Sequence, residues 1–347
     1  MYAMGMNVLG LMSGTSLDGM DMALVTLNPN DWGQWEILEF STVPYPTTLK
    51  KIMQKAYSQR DSVTVAHAHQ SFLQWTIDCC QNFRTEHAID LIATHGQTLF
   101  HQPEQKETVQ VGYGPELARA LQIPTVGNFR LQDVLLGGQG APFAPMGDAL
   151  LFPEYTSCVN LGGFANISTT VDGKRVGWDI APVNHVLNKL AEILGASYDE
   201  GGVWASEGAV CSETLHALNA LPYYTQTGSK SLGYEFVDAA VWPLLSGMPP
   251  KDALATYVEH AAEYIGAALG EGRHLFTGGG VHNSYLMARI QHYSKGSIDV
   301  PEATIANAKE ALIFALLGAQ RWLGETNIWC SVTGSSKDHS SGQVFTP

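Results

Sequence analysis

Disulfide and zinc chemistry find little material in this sequence. Its 347 residues hold five cysteines, an odd number, and none is spaced as CxxC. Adjacent Cys79 and Cys80 fall in an apolar, helix-like stretch, so the expectation is a reduced protein without disulfides or structural zinc. Charge is scarce too, at 15% of residues, and basic charge scarcer: 19 Lys and Arg against 33 Asp and Glu, net −14. That balance excludes nucleic acid or an anionic membrane as the main partner, although a few local cations still suffice for an anionic substrate. No apolar run nears the ~20 residues of a membrane span. The first residues carry no basic leader, so a cytoplasmic protein without a membrane partner is expected. Also missing is the lysine that ends a GxxxxGK[ST] nucleotide loop. Apolar residues are plentiful at 45%, enough for a large core, and the length suggests two domains.

Glycine is plentiful as well, and it clusters. The first cluster is the stretch Leu9-Gly10-Leu11-Met12-Ser13-Gly14-Thr15-Ser16-Leu17-Asp18-Gly19-Met20-Asp21. Apolar runs on either side make it a β-hairpin with a small, polar connection. Glycines and hydroxyls beside free N–H groups can cradle phosphate. Asp18 and Asp21 would repel phosphate alone, but suit a Mg²⁺ ion bridging carboxylate and phosphate. A plain Gly/Ser turn explains the same letters.

Along the chain, a strand at Trp35–Val43 is followed by helices at Thr47–Ser58 and Val63–His87. A buried-type strand, Ile89–Thr94, runs into His95-Gly96-Gln97-Thr98, and polar residues at such strand ends are where open α/β sheets keep ligands. Gly137-Gly138-Gln139-Gly140 reads as a hinge between lobes. The opening pattern then recurs: Cys158 to Thr169 is again strand, Gly-rich polar turn, strand, and a helix is expected from about Pro182 to Leu194. Later come helices at Glu207–Ala220 and Asp252–Leu269, the turn Thr277–Asn283, and a last helix, Ala306–Leu323. The fold class implied is α/β: two actin-like (ribonuclease H-like) lobes with mixed sheets flanked by helices and a central nucleotide/sugar cleft. Residues 1–130 with about 306–347 would make the first lobe, and 131–305 the second.

The motifs carry a more specific resemblance. Gly10 to Asp21 resembles the GLMSGTSxDGxD opening of the anhydro-N-acetylmuramic acid kinases, and Thr94 to Pro103 their SHGQTxxHxP segment. Asn160-Leu161-Gly162-Gly163-Phe164-Ala165-Asn166 is similar to their NLGGxAN, and Thr277 to Asn283 to their TGGGxHN. The tail, Ser331 to Gly334 and Gly342 to Phe345, also fits. What this implies is an ATP- and Mg²⁺-dependent kinase that phosphorylates 1,6-anhydro-N-acetylmuramic acid while water opens its anhydro ring, in peptidoglycan recycling. A homodimer is compatible with this reading. A kinase for a related amino sugar, or a weakly active nucleotide sensor of the same fold, are the alternatives.

Residue roles follow from the resemblance. Asp179 matches the family's catalytic aspartate and would be the base; helix N-capping is its bland alternative. The nucleotide and its phosphates fall to Gly14, Thr15, Ser16, Leu17, Asp18, Gly19, Met20, Asp21, Asn160, Gly162, Gly163, Asn166, Gly278, Gly279 and Gly280, with Asp18 and Asp21 toward the metal. The sugar falls to His95, Gln97, Arg130 and Glu310, with Arg130 suited to the lactyl carboxylate. A surface ion pair, a loop histidine and a solvated helix glutamate are the plain readings of Arg130, His95 and Glu310. The chain departs from the family at Asn128 (Asp), at Ala181 and Val183 (both Gly), and at Gly228-Ser229 (Pro-Pro) and Tyr234 (Arg).

Overall fold

The computed structural model describes residues 5–14, 17–226 and 230–347. The chain divides into two units, residues 1–153 with 307–347, and residues 154–306. No helix among the described residues is long and apolar enough to cross a membrane.

In the first unit, Met6–Ser13 (β1), Gly19–Leu27 (β2) and Trp35–Pro44 (β3) form an antiparallel meander. Leu91–Thr94 (β4) pairs parallel with β1 on the other side. A separate hairpin, Gln97–Gln102 (β5) and Glu107–Val111 (β6), follows. Thr125–Gly127 (β7) then pairs parallel with β4. The C-terminal strand Gln343–Phe345 (numbered β13 below its predecessors in the second unit) closes the edge, antiparallel to β7. Helices Thr47–Gln59 and Ser62–Asn82 stand over the β5–β6 hairpin around Tyr45, Met53 and Phe72. Asp61 separates these helices by capping the second, accepting from Val63 N at 3.0 Å and Thr64 N at 2.9 Å.

Helix Ala303–Leu323 crosses the same sheet, and glycine sets how closely. A Cβ on Gly10 would lie 2.0 Å from the Ala311 carbonyl oxygen, and one on Gly318 would lie 2.3 Å from Ala93 Cβ. Small residues on both surfaces therefore bring Glu310 of this helix down beside the β1–β2 hairpin. Gly10→Ala is expected to destabilise by about 1–3 kcal/mol through overpacking. Gly247→Ala, where a Cβ meets nothing within 4 Å, should leave the midpoint of thermal unfolding nearly unchanged. Calorimetry on the two variants checks this.

In the second unit, Ser157–Leu161 (β8), Phe164–Val171 (β9) and Lys174–Pro182 (β10) again form an antiparallel meander. Arg273–Thr277 (β11) and Ser297–Asp299 (β12) add in parallel beyond β8. Helices Asn184–Ile193, Pro250–Ala268 and Ser284–Tyr293 supply most of an extensive apolar core. The order β10-β9-β8-β11-β12 repeats the order β3-β2-β1-β4-β7 of the first unit. Three antiparallel strands followed by two parallel ones, twice, is the ribonuclease H-like arrangement expected from the two Gly-rich hairpins.

Two expectations are corrected. The unit boundary falls at Pro153/Glu154, not near residue 130. The stretch Gly137–Gly140 accordingly lies inside the first unit and is no hinge: Gly138 N and Gly140 N donate to the main chain and carboxylate of buried Asp133, at 2.9 and 2.6 Å.

Candidate active site

Asp179 sits within strand β10, where the register with β9 slips between Asp179 and Ala181. The strand continues to Pro182, and the next helix starts at Asn184 with Val183 before it. N-capping by Asp179 is therefore excluded. The bulge re-aims a side chain at the end of a sheet, as bulges beside active sites do. Three contacts fix the residue. Its N–H donates to Lys230 O at 2.9 Å, its carbonyl accepts from the Tyr223 hydroxyl at 2.6 Å, and its Oδ2 accepts from Leu232 N at 2.8 Å. No donor meets Oδ1 among the described residues. Burial pushes the Asp179 pKa up, and the Leu232 hydrogen bond offsets only part of that. The carboxylate is thus anchored through one oxygen.

Around it the second unit gathers the other expected residues. Thr277 is opposite Asn160, Asn160 opposite Asn166, and Asn166 opposite Asp179, one polar row across four strands. Gly278 turns at φ +88°, where a Cβ would lie 2.6 Å from Asn160 Oδ1, and one on Gly280 would lie 2.7 Å from Leu161 Cβ. Gly279, between them, faces open space. The Gly162–Gly163 turn is held by the helix that follows β10: Val183 N and His185 N donate to Gly163 O, and Asn184 N to Gly162 O. Asn160, Gly162, Gly163, Asn166 and Gly278 to Gly280 are thus neighbours. Ala181 and Val183 keep negative φ, so their places in this backbone do not demand the glycines that the family pattern carries.

The first unit holds the acidic hairpin. Thr15 and Ser16 lie outside the described residues. Leu17 adopts φ +54°, Gly19 N donates to Asp18 Oδ1 at 3.0 Å, and a Cβ on Gly19 would come within 2.8 Å of Val43 O. Met20 is a correction: its side chain is 1% exposed in the core and its main chain pairs with Ser13 and Val43, so no side-chain contact to a nucleotide is available. Asp21 Oδ1 accepts from Thr42 Oγ1 at 2.6 Å. Burial, then the charge of Asp18, raise the Asp21 pKa against that hydrogen bond. Glu310 is exposed by area, yet its carboxyl is crowded enough that desolvation, then Asp21, push its pKa up too, with Lys309 and Arg130 opposing. Lys309 itself is paired 2.8 Å from Asp148, both nearly buried.

Arg130 stands beside them, at the start of helix Phe129–Leu135. Its Nε donates to His95 Nε2 at 3.0 Å, its Nη1 donates to Gly140 O at 2.7 Å, and its guanidinium stacks 5.3 Å from the Phe143 ring. Burial brings its pKa down to about 10. Asn128 precedes it in the left-handed region (φ +56°), a conformation asparagine adopts readily, which gives a reason for asparagine here.

His95 differs from the expectation. Its Nε2 accepts from Arg130 and its Nδ1 lies 2.9 Å from Gly96 O, which it can only donate to, so both nitrogens are occupied. Desolvation, with the Arg130 charge, holds it neutral, its pKa at about 3. Gln97 is likewise enclosed, accepting from the Tyr45 hydroxyl at 2.8 Å and donating to Thr98 O at 3.2 Å. In this arrangement both side chains face protein partners rather than a ligand. Residues that the sequence reading passed over are Tyr223, Lys230 and Leu232, which fix Asp179.

These features have relatives. The family model described as anhydro-N-acetylmuramic acid kinase matches residues 6–347. The chain belongs to that family. It is 33% identical to the anhydro-N-acetylmuramic acid kinase of Hydrogenovibrio crunogenus, with 98% of each chain covered. Against the enzyme of the same name from Microcystis aeruginosa it is 32% identical, over 98% of this chain and 100% of that one. Among solved structures, component A of the Acidaminococcus fermentans (R)-2-hydroxyglutaryl-CoA dehydratase is similar at TM-score 0.46, 13% identity, over 91% of this chain and 98% of that one. An anhydro-N-acetylmuramic acid kinase is a phosphotransferase, so this chain is an enzyme of the kinase class.

Proposed function

We propose that this chain phosphorylates 1,6-anhydro-N-acetylmuramic acid with ATP, opens the anhydro ring with water, and uses Asp179 as the base. The observation that carries it is the held Asp179 carboxylate, anchored through Oδ2 and meeting no donor at Oδ1 among the described residues. In this substrate O6 belongs to an acetal and has no proton to lose. Water therefore attacks C1, the C1–O6 bond breaks, and O6 takes the γ-phosphoryl group as the bond to ADP breaks. Asp179 receives the proton of the attacking water. The products are N-acetylmuramic acid 6-phosphate and ADP, and a cytoplasmic location follows from the ATP requirement.

Arg130 takes the lactyl carboxylate, with His95 as a positioning residue that holds the guanidinium. Glu310 meets the sugar. Asn160, Asn166 and the Gly162–Gly163 and Gly278–Gly280 turns serve the nucleotide, together with the Gly14–Asp21 hairpin. The donor set on that hairpin suits Mg²⁺: burial and the Asp18 charge raise the cost of ionising Asp21, and a cation there relieves it. Bound there, the ion would neutralise charge on the transferring phosphoryl group.

The test is ATP consumption with the anhydro sugar, with mass spectrometry of the product. One ADP per N-acetylmuramic acid 6-phosphate is expected. Faster turnover of free N-acetylmuramic acid than of the anhydro sugar would overturn the substrate assignment.

A further inference from the structure

The Asp133 carboxylate lies on helix Phe129–Leu135 and is fully buried, yet it belongs to none of the roles above. Its Oδ2 accepts from Gly140 N at 2.6 Å and its main-chain oxygen from Gly138 N at 2.9 Å. Its Oδ1 accepts from Thr333 Oγ1 at 2.7 Å, with His339 Nε2 3.6 Å from the same oxygen. A Cβ on Gly138 would come within 2.2 Å of the carboxylate, so the Gly137–Gly140 loop is wrapped tightly around it. The other side of this loop is what matters: Gly140 O accepts from Arg130 Nη1 at 2.7 Å. Thr333 belongs to the C-terminal segment, which also binds the loop through Gln139 N to Thr333 O at 2.8 Å, and binds the Arg130 helix through Ser341 Oγ to Phe129 O at 2.6 Å.

We infer that Asp133, anchored by Thr333 of the C-terminal segment, is a positioning residue that aims the Arg130 guanidinium and so sets selectivity for an anhydro sugar carrying a carboxylate. This rests on the reading of Arg130 as the partner of the lactyl carboxylate. The physical case is one of pre-organisation. A buried carboxylate loses solvation and needs dedicated donors; this one spends Oδ2 on Gly140 N of the loop and Oδ1 on Thr333 Oγ1, and the carbonyl of the same Gly140 holds Arg130 Nη1. Arginine recognises a carboxylate through a fixed fork, so its worth falls steeply when the fork is misaimed. A purely structural use of the same carboxylate would not single out one substrate group.

The experiment compares two substrates, 1,6-anhydro-N-acetylmuramic acid and the same anhydro amino sugar without its lactyl ether, 1,6-anhydro-N-acetylglucosamine. The readout is the ratio of their kcat/KM values, with thermal unfolding measured alongside. Asp133→Asn is expected to lower that ratio about tenfold, through KM for the carboxylated sugar, with KM for ATP unchanged. Thr333→Val, which removes only one donor, should lower it in the same direction by less, and carries the test should Asp133→Asn not fold. Arg130→Lys separates the two levels. If Arg130→Lys leaves the ratio intact, the carboxylate reading of Arg130 fails. If Arg130→Lys collapses the ratio while Asp133→Asn and Thr333→Val keep it, or lose rate equally on both sugars, the positioning role alone is overturned.

Discussion

Asp179→Asn is expected to lower kcat by about 10²–10⁴-fold while the KM for sugar changes by a few-fold at most. Asparagine preserves the shape and can still accept from Leu232 N through its amide oxygen, so the anchor that fixes the side chain survives. What is lost is the basicity of the second oxygen, felt mainly in the transition state. The parent enzyme also has a sign to check against pH. Burial raises the Asp179 pKa above the ordinary carboxylate value, and only the ionised form accepts a proton. Activity therefore falls as pH drops through that raised pKa, so the acid limb of kcat/KM lies above the range of an exposed aspartate, and the limb is absent in the variant. Turnover in ¹⁸O-labelled water gives an independent reading: label should enter the C1 hydroxyl of the product and not the C6–O–P bridge. An Asp179→Asn enzyme within a few-fold of the parent would move the base elsewhere, with Glu310 next in line.

Much of the fold around these residues is legible in the sequence. Glycine-rich turns bounded by apolar runs announce hairpins, because only small residues fit a close backbone approach and only apolar runs fill strands. The first meander and the β8–β9 hairpin follow from that pattern, whereas β10 and the row of Asn160, Asn166 and Asp179 emerge only with strand pairing. The errors have physical causes as well. The sequence places Asp179 between a strand end and a helix start, whereas strand pairing with β9 carries the strand on to Pro182 through a bulge. Gly137 to Gly140 look free in sequence because nothing local shows the Asp133 carboxylate and Thr333, some 200 positions away, that hold them. His95 and Gln97 carry ligand-like chemistry, but their occupancy depends on Arg130 and Tyr45, partners 35 and 52 positions distant. Short helices such as Phe129–Leu135 and Ala144–Leu151 were missed for a similar reason: at seven and eight residues they are stabilised by tertiary packing rather than by their own periodicity.

Asp21→Asn should be nearly as damaging as the loss of the base, and by a different route. At low millimolar Mg²⁺ the expected loss of kcat/KM for ATP is about 10²-fold, because the ion that would counter charge on the phosphates then loses one of its two carboxylate holders. The apparent Mg²⁺ requirement should rise by about tenfold or more, and raising Mg²⁺ should recover part of the activity. A second effect has a definite sign. The Asp21 charge is one of the groups pushing the Glu310 pKa up, so removing it should move the Glu310 titration down toward its ordinary 4.5, visible in the carboxyl carbon resonance by NMR. Thr42→Val is the control, since it removes the 2.6 Å hydrogen bond to Asp21 but keeps the carboxylate. If Asp21 only ties β2 to β3, both variants lower stability by about 1 kcal/mol and neither alters the Mg²⁺ titration. A metal role instead predicts that Thr42→Val keeps the parent's Mg²⁺ titration while that of Asp21→Asn moves to higher Mg²⁺, and equal titrations for the two would remove Asp21 from the phosphate-binding chemistry.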